Sequence, residues 1–148
     1  MAVKLVHGSF DPWRWLLDHQ KTRLSPGSYG ATASFVGTMR DFNEGDRVEE
    51  LFLEHYPGMT ERELEKIVAE ARDQWRFLDA LIVHRVGEIR PGEPIVLVAV
   101  WSAHRGPAFD ACRWIMEALK HRAPFWKKER RDGGTRWVAR NTDGYDGY

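Results

Sequence analysis

Residues 80–103 read ALIVHRVGEIRPGEPIVLVAVWSA, two apolar and β-branched runs with a turn between them. The runs are Ala80 to Ile89 and Ile95 to Ala103. Arg90-Pro91-Gly92-Glu93, which separates them, has strong turn chemistry. The stretch therefore predicts a β-hairpin.

Further strands are predicted on both sides of this hairpin. Tyr29 to Arg40 is rich in small, β-branched and aromatic residues without a helical stripe, and Glu49 to Tyr56 alternates apolar and polar residues. These two strands are expected to pair across the turn Asn43-Glu44-Gly45-Asp46. A last hairpin is predicted from Phe125 to Arg131 and from Thr135 to Ala139, joined by Asp132-Gly133-Gly134.

Helices are predicted in three places. Asp11-Pro12 starts a short one that ends near His19, because aspartate caps free amides and proline suits the first turn. A second begins with Thr60 and Glu63 as a capping box. Its apolar stripe is Leu64, Ile67, Val68, Ala71, Trp75 and Leu78. A third begins near Pro107 and ends before Pro124, with an inward face of Phe109, Cys112, Ile115, Met116 and Leu119.

Strands and helices mix without regular βαβ alternation, so the predicted class is α+β, with mixed or antiparallel sheets and two main helices. Residues 1–148 contain no domain-sized linker and are expected to form a single domain. Within it, residues 1–28 are predicted to be an N-terminal helical extension. Residues 141–148 are predicted to be a mobile tail.

Composition excludes several classes of protein. The 22 basic residues balance 22 acidic ones, and no apolar run approaches the roughly 20 residues of a membrane-spanning helix. One cysteine, Cys112, forms no internal disulfide, which favours a reducing, cytoplasmic setting. Six scattered histidines have no metal-ligand spacing. The serine-hydrolase, phosphate-loop and zinc-protease motifs are missing as well.

Charge is distributed unevenly along the chain. Residues 41–79 carry 12 acidic and 5 basic side chains, whereas residues 105–140 carry 10 basic and 4 acidic ones. Cationic residues also stand at predicted element ends: Arg40, His104-Arg105, Lys120 and Lys127-Lys128. Because element ends commonly face a shared cleft, we expect a cationic pocket there, suited to a small anion such as a phosphate.

Within such a pocket, two lysines would acquire unusual acid–base behaviour. If Lys120 and Lys127 lie beside Arg40 and Arg105, repulsion lowers the lysine pKa values toward the working pH. Strand alternation puts Lys127 and Lys128 on opposite faces, so only one of them can enter the pocket. His84, inside a predicted strand, is interpreted as a hydrogen-bonded structural residue and left out of the site.

A second interpretation is a nucleic-acid binding module. The basic half of the chain interleaves cations with aromatic residues, which could form a stacking surface for single-stranded nucleic acid. The residues concerned are Arg113, Arg122, Lys127, Lys128, Arg130, Arg131 and Arg136 with Trp114, Phe125, Trp126 and Trp137.

An ordered set of segments resembles the MoaE family, the catalytic (large) subunits of molybdopterin synthase. The segments are Gly30-Ala31, Phe35-Val36-Gly37-Thr38-Met39-Arg40, Glu54-His55-Tyr56, His84-Arg85-Val86-Gly87, Ser102-Ala103-His104-Arg105, Leu119-Lys120 and Pro124-Phe125-Trp126-Lys127-Lys128-Glu129. The resemblance extends from about Tyr29 to Val138. Lys120 together with the block that starts at Pro124 is its most specific part, and Met39 stands where valine is commoner in the family.

The resemblance implies a fold, a reaction and partners. It implies an α/β-hammerhead-containing subunit that forms a homodimer, with a small ubiquitin-like sulfur-carrier subunit at each end of a heterotetramer. The carrier's C-terminal Gly-Gly thiocarboxylate would deliver sulfur to cyclic pyranopterin monophosphate (precursor Z), and two transfers would form the dithiolene of molybdopterin. No metal or organic cofactor is implied on this subunit.

The resemblance also implies roles for residues. Lys120 and Lys127 fall on the family's catalytic lysines. The substrate-contacting positions are Thr38, Met39, Arg40, His104, Arg105, Lys128 and Glu129. A late residue such as Arg140 is expected to reach the neighbouring subunit's site.

Overall fold

The computed structural model describes residues 2–43, 45–131 and 134–138. The strands are β1 (Ala2–His7), β2 (Ala31–Thr38), β3 (Phe42–Asn43), β4 (Asp46–His55), β5 (Asp79–Ile89), β6 (Pro94–Ser102), β7 (Phe125–Arg131) and β8 (Gly134–Val138). The helices are α1 (Pro12–Arg23), α2 (Met59–Gln74) and α3 (Arg105–Arg122). This mixture confirms the α+β class.

The predicted hairpin of residues 80–103 forms the centre of the sheet as β5 and β6. The main strand order is β2-β6-β5-β4-β7-β8, and all of these neighbours are antiparallel. The pairing predicted between the strands Tyr29 to Arg40 and Glu49 to Tyr56, which correspond to β2 and β4, is wrong. β2 pairs with β6 instead, from Ala31 opposite Ser102 to Thr38 opposite Pro94.

Residues near the N-terminus belong to the sheet, contrary to the helical extension predicted for residues 1–28. β1 pairs in parallel with β5, from Ala2 opposite Leu81 to His7 opposite Val86. α1 follows it, runs to Arg23 and is capped by the Asp11 side chain, which accepts a hydrogen bond from the Trp13 amide (3.0 Å). The sequence pattern of β1 is too short to predict a strand by itself. The hydrogen bonds that make it a strand come from β5, a parallel partner far along the chain.

β5 changes its partner at Gly87. Residues 81–86 of β5 pair with β1, and from Gly87 onward the strand pairs with β4. Gly87 has a φ of 84°, a left-handed conformation that glycine adopts without a steric penalty. The change of partner brings β4 and β7 next to the end of β1.

Helices cover both faces of the central hairpin. The largest core cluster joins α2 and α3 to one face, through residues such as Leu64, Ile115, Ile82 and Val98. A second cluster on the other face joins Leu81, Leu97 and the fully buried Trp101 to residues of α1. Alternation along each strand explains the division, since successive side chains point to opposite faces.

Three details of the helix predictions are wrong. α2 begins at Met59, and its N-cap is Gly58, whose amide donates to Glu61 Oε1 (3.0 Å), not Thr60 with Glu63. Leu78 lies beyond the end of α2 and is exposed. Phe109 is 65% exposed, because the helix face that meets the sheet is the one carrying Cys112.

Some predictions fall outside the described residues. These are the Asp132-Gly133 part of the last turn, Glu44 of the earlier turn, Arg140, and the tail of residues 141–148.

Candidate active site

Lys120 and Lys127 meet at the junction of α3 and β7. Lys120 is in the last turn of α3, and Lys127 is the third residue of β7. The connection is short because α3 ends at Arg122 and Pro124 cannot continue a helix. Both side chains are partly buried, and each amino group is close enough to the other to shift its pKa.

The surroundings favour loss of one proton from this pair. Burial, and then the positive charge of Lys120, lower the pKa of Lys127 from 10.5 to about 7. Burial also lowers the pKa of Lys120, while the interaction with the amino group of Lys127 and the charge of Glu117 oppose that change. Near neutral pH the pair therefore holds an amine that can accept a proton beside an ammonium that can stabilise negative charge.

His84 lies close to the strand that carries Lys127, although the sequence pattern predicts a structural residue outside the site. It follows Ala80 and Ile82 on the α3-facing side of β5, and its ring stacks on Phe125 with centroids 4.1 Å apart. Burial first, and then the charges of Lys120, Lys127 and His55, lower the pKa of His84 to about 3, although a hydrogen bond to the backbone of Arg85 raises it. A histidine that interrupts an otherwise apolar strand face was the available sequence signal.

The end of β2 lies on the same side of the molecule as Lys120. α3 follows β6 in the chain and runs antiparallel to it. Near the middle of both elements, Cys112 Sγ of α3 lies 3.7 Å from the carbonyl oxygen of Val98 of β6. The last turn of α3 therefore lies toward Pro94, which is opposite Thr38. Thr38 and Arg40 are exposed at this end.

Met39, between them, is a core residue. Its side chain is buried with Val48, Leu51, Leu53 and Ile89. Its amide donates to the carbonyl oxygen of Glu93 (3.0 Å), and its own carbonyl oxygen accepts from the amide of Gly92 (2.9 Å). Met39 thus holds the β2 end against the β5–β6 turn and orients its neighbours.

His104 and Arg105 are not brought to the lysine pair within one chain. His104 is the N-cap of α3, whereas Lys120 is in its last turn. At a rise of about 1.5 Å per residue, the helix separates them by roughly 24 Å. Both His104 and Arg105 are exposed. The shared cleft predicted from the sequence is therefore divided between two ends of α3.

Lys128 and Glu129 separate as strand alternation predicts. Glu129 is buried on the face of Lys127 and accepts a hydrogen bond from Arg131 Nη2 (2.5 Å). Lys128 points to the other face, where its Nζ lies 5.7 Å from the ring centroid of Trp137. Only Lys127 of the Lys127-Lys128 pair joins Lys120.

An apolar groove lies beside this region. Its volume is about 360 Å³, within the usual range for small-molecule pockets. The groove is lined by Ala33, Ser34 and Phe35 of β2 and by Phe109, Cys112, Arg113, Met116 and Glu117 of α3. Met116 is one helical turn before Lys120, so the groove extends toward the lysine pair.

The nucleic-acid interpretation is not supported. Several cations of the proposed basic surface are neutralised by carboxylates: Arg122 pairs with Glu63 (2.8 Å), and Arg130 lies 3.6 Å from both Glu49 and Glu50. Phe125 is used in the stack with His84. These contacts leave no continuous basic, stacking stripe in the part of the chain that the structure describes.

Metal-binding clusters and membrane-spanning helices are both absent from the described residues. No group of three or more His, Cys, Asp or Glu side chains there is arranged to hold a metal ion. No helix within the same ranges has the length and apolar character needed to cross a membrane.

Comparison with known proteins identifies the family. The family model described as MoaE protein matches residues 10–122. The molybdopterin synthase catalytic subunit of Ralstonia nicotianae is 60% identical over 77% of this chain, which spans 65% of that relative. The same subunit of Pseudomonas aeruginosa is 51% identical over 93% of this chain and 90% of the relative.

Solved structures agree with the sequence relatives. The MoaE protein from Burkholderia ambifaria has a TM-score of 0.80 and 46% identity, covering 97% of this chain and 94% of that one. A complex of subunits 1 and 2 of molybdopterin-converting factor from Helicobacter pylori shares the fold, with a TM-score of 0.77 at 22% identity over 95% and 92% of the chains. The chain belongs to the MoaE family, the catalytic subunits of molybdopterin synthase.

Proposed function

We propose that this chain transfers sulfur from a thiocarboxylated, ubiquitin-like carrier subunit to cyclic pyranopterin monophosphate, forming the dithiolene of molybdopterin. The observation that carries the proposal is the pair of Lys120 and Lys127, two partly buried side chains at the junction of α3 and β7 whose pKa values are both lowered by burial. The relatives' common name, molybdopterin synthase catalytic subunit, supports the reaction.

The lysine pair supplies two functions that this reaction needs. A neutral amine accepts a proton as the carbon–sulfur bond forms, and the neighbouring ammonium stabilises the negative charge that develops on substrate oxygen when the cyclic phosphate opens. Burial keeps one amine neutral near neutral pH by lowering its pKa, and it strengthens the charge stabilisation by the ammonium, because charges interact more strongly away from water. Arg40, at the end of β2 on the same side of the molecule, is the residue proposed to hold the phosphate.

A complete pocket requires a second copy of this chain. His104 and Arg105 stand at the opposite end of α3 from Lys120, so one chain cannot direct both groups at one small substrate. In a homodimer, His104 and Arg105 of one copy can complete the pocket formed by Lys120 and Lys127 of the other. Thr38, Lys128 and Glu129 stay predicted substrate-contacting positions, and Met39 is proposed to act only through its backbone.

The partner is the small carrier subunit. A structural neighbour of this chain is a complex of two subunits of molybdopterin-converting factor, which supports a two-component enzyme. The carrier's thiocarboxylate is anionic and would be attracted by the ammonium of the lysine pair. Cys112, the single cysteine, is buried, and burial raises the pKa of its thiol to about 11, so it stays protonated and does not compete as a sulfur carrier. We expect the enzyme to act in the cytoplasm.

Reconstitution tests the proposal. This protein is mixed with a thiocarboxylated carrier and precursor Z, and molybdopterin is measured. The wild type forms product, and Lys120→Ala and Lys127→Ala lose it by a factor of roughly 10² or more while remaining folded. Lys66→Ala, an exposed lysine of α2, is the matched control and retains wild-type activity. Product formation at the wild-type rate by either site variant would refute the assignment of the lysines.

A further inference from the structure

A cavity of about 260 Å³ lies between α1 and the strands β1 and β5. α1 packs on one face of the central hairpin, whereas α2 and α3 pack on the other. The groove beside Lys120 is lined by α3 and β2 and shares no residue with this cavity. The cavity is therefore separate from the candidate active site.

Three cationic side chains line the cavity without carboxylate partners. They are Lys4 of β1 and Arg14 and Arg23 of α1, and all three are exposed. Within the part of the chain that the structure describes, none of them forms an ion pair. Asp18 lines the cavity as well, so three positive charges stand against one negative charge. Arginine side chains match the geometry of phosphate oxygens, which makes a phosphate the favoured anion.

A buried histidine also lines the cavity. His19 is 7% exposed, and its Nε2 lies 2.8 Å from Asp79 Oδ2. Its ring stacks on Trp101, with centroids 5.0 Å apart. These two contacts fix the orientation of the imidazole, and the carboxylate, as an acceptor, requires the proton on Nε2.

The second ring nitrogen of His19 remains for a ligand. Nδ1 forms no hydrogen bond with any of the residues that the structure describes. Neither Asp79 nor Trp101 lines the cavity, so His19 meets it with the rest of its ring. Nδ1 accepts a hydrogen bond when the ring is neutral and donates one when the ring is protonated, so it can pair with a polar ligand in either form.

Apolar side chains supply another part of the lining. Ala2, Leu81 and the half-buried Trp15 contribute to it. An indole offers a flat surface on which a second ring can stack. The volume of about 260 Å³ is just below the lower limit of about 300 Å³ for typical small-molecule pockets, so the ligand must be compact.

We propose that this cavity binds a compact phosphate monoester whose other half is a flat, apolar ring. Arg14 and Arg23 hold the phosphate oxygens, and Lys4 adds a third positive charge. His19 Nδ1 forms a hydrogen bond with the ligand, and Trp15 stacks on its ring. The site lies outside the lysine pair, so this inference does not depend on the proposed function.

Phenyl phosphate is the probe, because it joins a phosphate to a flat ring in a small molecule. Inorganic phosphate and phenol are its two separate halves. Isothermal titration calorimetry on the complete protein measures the affinity for each. The wild type should bind phenyl phosphate, and should bind each half more weakly by roughly tenfold or more. Failure to bind phenyl phosphate, or equal affinity for either half, overturns the proposal.

Charge variants locate the binding site. Arg14→Gln combined with Arg23→Gln removes two exposed cations of the cavity and should weaken phenyl phosphate binding by roughly tenfold or more. Arg62→Gln combined with Lys66→Gln removes two exposed cations of α2 and is the matched control, with unchanged affinity. Arg40→Gln should also leave the affinity unchanged. Binding that depends on Arg40, or that survives loss of Arg14 and Arg23, overturns the proposal.

Ring-nitrogen NMR tests the site in the wild type. Saturation with phenyl phosphate should shift the Nδ1 signal of His19. His121, an exposed histidine near the end of α3, is the internal control and should not shift. An unshifted His19 signal at saturation overturns the proposal, because Nδ1 then does not meet the ligand.

Discussion

Replacing Lys127 by methionine should stabilise the protein in a pH-dependent manner. Methionine has a similar length and is apolar, so it fills the partly buried position without a charge. In the folded protein the pKa of Lys127 is lowered from 10.5 to about 7, by burial first and by the charge of Lys120 second. The folded state therefore bears the full cost of the charged lysine below pH 7.

The magnitude follows from proton linkage. Between pH 7 and 10.5 the unfolded chain keeps the Lys127 proton and the folded protein has lost it. Wild-type stability consequently rises with pH in this range, by about 1.4 kcal/mol per pH unit from this group. From pH 7 to pH 9 the contribution is about 2–3 kcal/mol. The methionine variant lacks this pH-dependent contribution. Its free energy of unfolding therefore exceeds that of the wild type most at pH 7 and below, and the difference decreases toward pH 9.

Urea unfolding at several pH values between 6 and 9 measures the effect, as the difference in unfolding free energy between variant and wild type. Lys120 is present in both proteins, so the difference reports Lys127 together with its interaction with Lys120. Lys128→Met, on the opposite face of β7, is the matched control for replacing a lysine of this strand by methionine. A difference in unfolding free energy between Lys127→Met and the wild type that does not change with pH would refute the reasoning that burial and Lys120 hold this amine near neutrality.

Three further predictions concern the scaffold. Arg122→Ala removes the bridge from α3 to Glu63 of α2 and should cost about 1 kcal/mol in thermal unfolding, with a smaller loss at high salt. Gly30→Ala should cost roughly 1–3 kcal/mol, because its Cβ would lie 2.5 Å from the carbonyl oxygen of Ala103, and an unchanged melting temperature would contradict that contact. Asp79→Asn weakens the 2.8 Å contact with His19. Burial raises the pKa of Asp79, but hydrogen bonds, including the one with His19, outweigh burial and lower the pKa below 3.8. In acid titrations followed by circular dichroism, the wild type alone should therefore lose the stability supplied by the ionised Asp79 as the pH falls below 3.8.

Local pattern was sufficient for the central hairpin and for the division of the lysines. Two apolar runs around Arg90-Pro91-Gly92-Glu93 predicted β5 and β6, because strand and turn preferences are properties of neighbouring residues. Alternation along β7 placed Lys127 and Lys128 on opposite faces for the same reason. The end of α3 before Pro124 likewise follows from the covalent geometry of proline.

Pairing between distant segments could not be derived in this way. β1 is a strand only because β5, some 80 residues later, supplies its hydrogen bonds, and β2 pairs with β6 rather than with its nearer neighbour β4. Backbone hydrogen bonding is not specific to residue type, so partner choice depends on how the whole sheet buries its apolar faces.

In the candidate site, too, some features follow from residue type and others depend on contacts between distant segments. The amino-acid types at positions 120 and 127 are enough to propose Lys120 and Lys127 as acid–base groups. The stacking of His84 on Phe125, the burial of Met39 and the distance along α3 between His104 and Lys120 come from the folded chain. The physical reason is that a residue's type is local, whereas its pKa and its neighbours arise from burial and contacts between segments that the fold alone brings together.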